Sequence, residues 1–366
     1  MASDKQVQKA GDGAYQIQAG TIIVGIDEKR AREVYTEMSE QTIAQCTSEA
    51  TATANARIGR FEEELLPRIE KIENDFRSFS DPSFQVLLRK AQLTAACTDR
   101  EGDYAILAEL LTHRVKNKNN TKKKASIQRA VEIVDQIDED ALCGLTNLFV
   151  LLSYAPITGN IDEGIDVLDQ LHTKLQYGPL PVGTEWIDNL AILGAITINP
   201  ISKFSNYEDL LSGVLSGYTA VGVQANSEPS SLIQRKFDEL NIGYMFVDHS
   251  LLEGYKRINL PQTSISTNTQ TVRNASIDGE KDSILQTFEA DQLDCIRMAF
   301  ANYSKDGVLM NQVKQRFIQA LNSHESIARA ISWFNSISNA MTITSVGRVI
   351  AHTNAKRIDP DIPDLD

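Results

Sequence analysis

At 366 residues with 42% hydrophobic side chains, the chain is long enough for two or more domains and carries too much apolar material to be disordered. Its 49 Asp and Glu outnumber 36 Lys and Arg for a net charge of −13, which disfavours nonspecific attraction to nucleic acid or an anionic membrane, although a local basic face can override that average. No apolar run approaches a membrane span and residues 1–18 lack the apolar stretch of a secretory leader, so the sequence reads as cytoplasmic.

The stretch AGDGAYQIQAGTIIVGIDEK, residues 10–29, is Gly-punctuated and alternates with period two, the pattern of a strand. Tyr15, Ile17, Ala19 and Ile23 share one face, and Gln16 and Gln18 point the other way. A lone hairpin of this size is marginal in water and leaves open edges. It is completed by copies of itself or by a partner chain in a shared β layer, or as an edge hairpin folded onto its own chain. A phosphate loop is excluded, because Gln16 stands where a third glycine is needed after Gly11 and Gly13, and no GKS or GKT follows.

After Asp27, an N-cap residue, no proline occurs until Pro67, which predicts one long helix of roughly 58 Å over 28–66. Val34, Met38, Thr42, Cys46, Ala50, Ala54, Ile58, Phe61, Leu65, Ile69 and Ile72 form a stripe at three- and four-residue spacing. Such a helix needs a partner, either its own domain or a second copy in a coiled coil. The expected oligomerisation residues are Tyr15, Ile17, Ala19, Ile23, Val34 and Met38. Glu62, Glu63 and Glu64 read as a solvated face.

Asp81 and Pro82 open the next helix, and TDREGD is a turn before another from about Tyr104 to Val115. SIQRAVEIVDQI and EDALCGLTNLFVLLSYA continue a pattern of stacked helical hairpins without a constant repeat. Ahead of both, after the helix ending near Val115, KNKNNTKKKAS carries Lys116, Lys118, Lys122, Lys123 and Lys124, flanked by Arg114 and Arg129. With no aromatic residue to stack on bases, it reads as a solvated loop, with nucleic-acid contact the competing reading.

Trp186 anchors a core within PLPVGTEWIDNLAILGAITINP, and YEDLLSGVLSGYTAVGV is a short helix with Gly217 near its end. NIGYMFVDHSLLEGY fits a buried strand or a helix, and Asp248 with His249 is a structural pair, since neighbours in sequence rarely face each other on a helix. The Ser, Thr, Asn and Gln of 260–281 mark a linker or surface loop.

Beyond it, FEADQLDCIRMAFANY, VLMNQVKQRFIQAL and HESIARAISWFNSI read as three helices, followed by MTITSVGRVIAHTNAKRI, β-like until Thr344 or Ser345 caps a helix. That outline, with Ile343-Thr344-Ser345-Val346-Gly347 as the opening turn, resembles a winged helix, which by itself does not imply DNA binding. The third helix offers Arg329 but also Glu325, and its Ile327, Ile331, Trp333 and Phe334 look like core, so the unit is expected to touch protein. His352, Lys356 and Arg357 suit a solvated helix C-terminus.

The QAG turn at 18–20, the acidic start at 27–28, DPSFQ at 81–85 and TSVGRVIAHTNAKR at 344–357 together resemble an uncharacterised bacterial family named only from locus tags. The resemblance implies no activity, cofactor or catalytic residue. Gly-rich strands similar to 10–25 also precede modules of bacterial immune proteins, which implies a link to anti-phage defence.

Cys46, Cys97, Cys143 and Cys295 form no CxxC or Cys/His spacing and read as buried reduced thiols. His113, His172, His249, His324 and His352 are scattered, and neither GxSxG nor HExxH occurs. No catalytic, cofactor-binding or metal residue is therefore assigned. The expected fold is mainly α: a short β oligomerisation segment at 1–26, a helical domain at 27–259 beginning with the long helix, a linker at 260–283 and a winged-helix-like unit at 284–366. The expected function is a self-assembling, non-enzymatic scaffold or sensor acting as a homo-oligomer, with a defence-system protein as partner and no membrane. The alternative is a nucleic-acid-responsive regulator using the basic loop at 114–129 and the C-terminal unit.

Ile17→Asp removes roughly 1.5–3 kcal/mol of burial per subunit and places a charge in any β layer between copies. Light scattering is expected to show a smaller particle with circular dichroism nearly unchanged. Loss of helicity with precipitation would instead place residues 10–25 in the subunit's own core.

Overall fold

A computed structural model describes residues 28–73, 76–117, 120–263, 271–272 and 288–365. The β segment at 1–26 with Tyr15, Ile17, Ala19 and Ile23, together with Asp27, Lys118 and all of 264–283 except Thr271–Val272, lies outside these residues. Fourteen α-helices and seven strands of two to four residues make up the described chain, so the fold is mainly α. It divides into two compact units, residues 1–56 and Arg57–Asp366.

Helix α1 (Glu28–Glu70) is the long helix that the sequence predicts. Its row from Val34 through Met38, Thr42, Cys46 and Ala50 to Ala54 advances by four residues each time. Each step overshoots a turn by about 40°, so the row winds through about 200° instead of holding one face. In the first unit Val34 is half-buried, whereas Tyr35 (75% exposed), Met38 (63%) and Ile43 (62%) are open to solvent. From Ala54 onward the spacing mixes threes and fours and the row stays on one side. There Phe61, Leu65 and Ile69 are at most 1% exposed within the second unit.

In that second unit α2 (Pro82–Cys97) starts at Pro82 beneath Asp81, whose carboxylate accepts from the Ser83 N–H at 2.8 Å. Helix α3 (Glu101–Lys116) begins three residues before the expected Tyr104. Glu101 and Asp103 favour the positive end of the helix, and Asp103 is fixed by Thr98 Oγ1 at 2.6 Å and Arg100 Nε at 2.7 Å. The basic loop is also shorter than expected. Asn120 caps α4 (Thr121–Ile133) by accepting from the Lys123 N–H at 3.1 Å, so Lys122, Lys123 and Lys124 lie in a helix's first turn.

Helices α5 (Glu139–Ser153), α6 (Ile161–Leu175) and α7 (Glu185–Ile192) continue the stack, and Trp186 meets Trp333 with ring centroids 5.7 Å apart. Strand β1 (Ala155–Pro156) follows α5, and β2 (Ile196–Asn199) follows α7. Beyond α8 (Tyr207–Val214) and α9 (Ser216–Thr219) comes a small sheet of β3 (Val223–Gln224), β4 (Phe246–Asp248) and β5 (Tyr255–Ile258), antiparallel in the order β3-β5-β4 and covered by α10 (Glu228–Glu239). This settles NIGYMFVDHSLLEGY as strand and turn. Strand β6 (Thr271–Val272) runs parallel to β1.

Arg257 of β5, 2% exposed, has no carboxylate opposite it among the described residues; its guanidinium donates to the carbonyls of Gly217, Gly159, Ile258 and Leu260 at 2.6–3.5 Å. Those bonds tie the sheet to the loops before α6 and around α9.

The last four helices, α11 (Ala290–Ala301), α12 (Gly307–Asn322), α13 (Glu325–Ser336) and α14 (Ser345–Ile358), do not assemble into a winged helix. Cys295, Ile296 and Ala299 of α11 share a core with α10 and the small sheet, α12 packs on α9 and α13, and α13 packs on α6 and α8. Strand β7 (Ala340–Ile343) pairs antiparallel with β2, Ile196 opposite Ile343, and no wing hairpin forms among the described residues. As expected, Ile327, Ile331, Trp333 and Phe334 are core, and Thr344 caps α14, accepting from Gly347 N–H. Helix α14 then runs among α3, α4, α5 and α6 with Val349–Ala355 buried.

Gly347 makes that insertion feasible, because a Cβ there would lie 2.0 Å from the Ala195 carbonyl oxygen. Gly347→Ala is expected to cost about 1–3 kcal/mol or more as α14 is pushed off β2. Gly59→Ala, at a mid-helix site with nothing within 4 Å, should instead stabilise by up to about 1 kcal/mol. Urea unfolding of the two variants checks the contrast.

Candidate functional site

The most polar part of the interior is the middle of α14, where His352, Thr353 and Asn354 are 0% exposed. Asn354 donates to Thr146 Oγ1 at 2.9 Å and Tyr177 OH at 3.2 Å, and its own oxygen accepts from Arg357 Nε at 3.0 Å. The His352 ring lies 5.6 Å from that of His113, which faces Glu109 at 3.2 Å, and Glu109 in turn pairs with Arg68 at 2.9 Å. Burial pushes the Glu109 carboxyl up, but His113 and Arg68 outweigh it and hold it down at about 2. Burial pushes the Tyr177 hydroxyl up to about 12 and the Cys143 thiol up to about 11, so both stay protonated and unreactive at neutral pH. The sequence hides this cluster, because its members come from α1, α3, α5, the segment after α6 and α14, and their separations follow no local spacing.

Immediately after α14 the chain turns back over these side chains. His352 Nε2–H donates to the Pro363 carbonyl at 2.8 Å, which leaves Nδ1 without a hydrogen-bond partner among the described residues. Ile362 is 2% exposed in the core and Leu365 packs against it. Asp359 pairs with Lys174 at 2.9 Å; Asp364 pairs with Lys356 and lies 3.7 Å from Lys116; Lys123 Nζ reaches the Leu365 carbonyl at 3.5 Å. The structure thus brings Lys116 and Lys123 together on an acidic segment of the same chain. Lys122 is exposed, Lys124 half-buried, and Lys118 lies outside the described residues.

Other candidates resolve as follows. His352 is interior, not at a solvated helix end. Asp248 is 89% exposed beside Lys256, whereas His249 turns inward, donating from Nε2 to Ala220 O at 2.9 Å and accepting from Leu251 N–H, so the two are structural. Cys143 and Cys295 are buried as expected, but Cys46 and Cys97 are exposed, Cys46 in a stretch of α1 that is exposed all round. Glu63 and Glu64 are solvated, and Glu62 accepts from Gln92 at 3.2 Å. An open groove of about 520 Å³ along α10 is bordered by Arg235, Lys256, Asp238 and Glu239, charges that balance one another. Among the described residues no three His, Cys, Asp or Glu side chains are grouped to hold a metal, and no helix is long and apolar enough to cross a membrane.

A model of a family that carries a locus-tag designation with the suffix "-like" matches residues 25–365. The chain belongs to that family, as its short motifs implied. No curated protein and no solved structure matches it.

Burial holds His172, His249 and His352 each down at about 4. An unfolded histidine titrates near 6.5, so between about pH 6.5 and 4 the unfolded chain binds protons that the folded chain refuses. Stability should therefore fall as pH falls through that window, by at most about 3 kcal/mol per histidine. Asp103 and Asp135, whose carboxyls burial raises, oppose this at its acid end. Urea unfolding at pH 7, 5.5 and 4.5 should show the decline, and His172→Leu, which removes a ring lacking partners at both nitrogens, should flatten it.

Proposed function

We propose that this family member is a non-enzymatic, self-assembling scaffold or sensor whose copies associate through Glu28–Ala56 and the strand-like residues that precede it. The observation that carries the reading is solvent exposure of Tyr35, Met38 and Ile43 on one stretch of helix. Tyr35, Met38, Thr42, Gln45, Glu49, Ala52 and Ala56 alternate by three and four, the spacing of a coiled-coil seam. The seam is apolar at its ends and polar in the middle, where Gln45 donates to Glu49 at 2.9 Å. A seam of this kind specifies register at some cost in affinity, so the β-patterned residues before it add the remaining contact area. A setting in anti-phage defence comes from the resemblance of residues 10–25 alone.

The alternative, a nucleic-acid-responsive regulator, would use Lys116, Lys118, Lys122, Lys123 and Lys124 of the basic segment at 114–129 with the C-terminal unit. It takes second place because Lys116 and Lys123 already face Asp364 and Leu365.

Tyr35→Glu combined with Met38→Glu in the full chain forfeits roughly 1.5–3 kcal/mol of burial per side chain and adds like charges to the seam. The mass from light scattering should fall to that of a single chain while helicity stays unchanged. An unaltered particle, or a wild-type protein that is already a single chain, would end the reading.

A further inference from the structure

We propose that the seat of residues 359–365 is a peptide-recognition groove, filled in cis by the chain's own Asp359–Leu365 and open to the same segment of a second copy. Three kinds of contact meet there, and together they are what peptide recognition requires. Main-chain recognition comes from His352 Nε2–H on the Pro363 carbonyl at 2.8 Å. An aliphatic socket takes Ile362, 2% exposed, with Leu365 against the same core. Cations from three helices grip the carboxylates: Lys174 of α6 on Asp359, Lys116 of α3 and Lys356 of α14 on Asp364.

The ligand is therefore an acidic peptide with aliphatic and proline residues between its carboxylates, and the segment Asp-Pro-Asp-Ile-Pro-Asp-Leu supplies that chemistry itself. It is separable from the helix that bears it. Asp359 N–H closes the last turn on Ala355 O at 2.8 Å, and Pro360 has no N–H with which to continue. Rotation about 359–360 would carry residues 360–365, roughly 20 Å when extended, into a neighbouring copy. It breaks the Ile362 N–H bond to the Asp359 carbonyl and leaves Asp359 on its own Lys174, while Ile362, Pro363, Asp364 and Leu365 meet the same partners in the second copy. Cis and trans docking then differ in those local bonds to Asp359 and in effective concentration, which favours cis in a lone chain and shifts toward trans when copies are held together. The supply of a second copy rests on the self-assembly reading; the groove itself does not.

The experiment titrates a fluorescein-labelled peptide of residues 357–366 against full-length chains by anisotropy. Asp364→Lys sets its exposed charge against Lys116 and Lys356 and loosens the resident segment, so this chain should bind the peptide at least tenfold more tightly than wild type, and more weakly as salt rises. Adding Lys116→Glu and Lys123→Glu should remove that gain. Equal binding by wild type and a natively helical Asp364→Lys chain would overturn the groove.

Exchange is read separately, with Cys46→Ser and Cys97→Ser removing the exposed thiols. Chains carrying only Lys123→Cys are mixed with chains carrying only Leu365→Cys and oxidised. A mixed disulfide dimer in excess of the like-with-like dimers is expected. If cross-linking occurs only within a single chain bearing both cysteines, trans docking is overturned. Repeating the mixture with Tyr35→Glu and Met38→Glu separates the two ideas: lost dimers with retained peptide binding assign exchange to assembly through α1, whereas lost peptide binding removes the groove whatever α1 does.

Discussion

Burying α14 among α3, α4, α5 and α6 is the constraint on which the second unit depends. A helix with His352, Thr353 and Asn354 at 0% exposure carries polar atoms into a space where each unpaired group costs about 1–3 kcal/mol. The neighbours answer residue by residue: Thr146 of α5, Tyr177 after α6 and Arg357 from the next turn all bond Asn354. His352 finds its acceptor only because the chain folds back to present Pro363 O. Insertion also needs the close approach at Gly347 and the Thr344 cap, whose hydroxyl donates to Gly194 O at 2.8 Å. The returning segment thus supplies one acceptor to the helix that precedes it, while Thr353 Oγ1 and His352 Nδ1 have no partner among the described residues.

Much of the fold was legible because it is local. Asp81 with Pro82, the long proline-free run after residue 28, and Thr344 before Gly347 are signals that act within four residues, and each appears where the sequence puts it. The misreadings have a common physical origin in long-range contact. Lys122–Lys124 look like loop by charge, yet Asn120 caps a helix there, and of the three only Lys123 reaches segment 359–365, at the Leu365 carbonyl. A winged helix was suggested by three helices in a row, but β7 finds β2, some 140 residues earlier in the chain, and α11 finds the small sheet. The His113–His352 contact, across 239 positions, has no local signature at all.

The two parts of α1 differ in the same way. A stripe drawn as one feature along the sequence is two features in space, because strict four-residue steps rotate around the axis while mixed steps do not. Phe61, Leu65 and Ile69 belong to the second unit's core. Tyr35 and Met38 instead follow the heptad spacing that runs on to Ala56, which a single helix has no means of burying. An interface built on them can change without disturbing the core that contains α14, since no core residue of the second unit lies before Phe61. That independence suits a scaffold, in which assembly is altered while the subunit stays folded.

Charge distribution bears on the choice between a protein partner and a polyanion. The chain has an excess of acid, and four of its lysines, Lys116, Lys123, Lys174 and Lys356, are turned onto seven residues that carry three aspartates. A phosphate backbone approaching this edge would have to displace Asp364 from Lys116 and Lys356 and, because Leu365 follows it directly, disturb the packing that seats Ile362 and Leu365. A competing peptide of like chemistry would replace the carboxylate, the aliphatic side chains and the carbonyl on His352 all at once. The groove proposed at 359–365 is thus matched to a peptide by the same contacts that hold the chain's own segment in place.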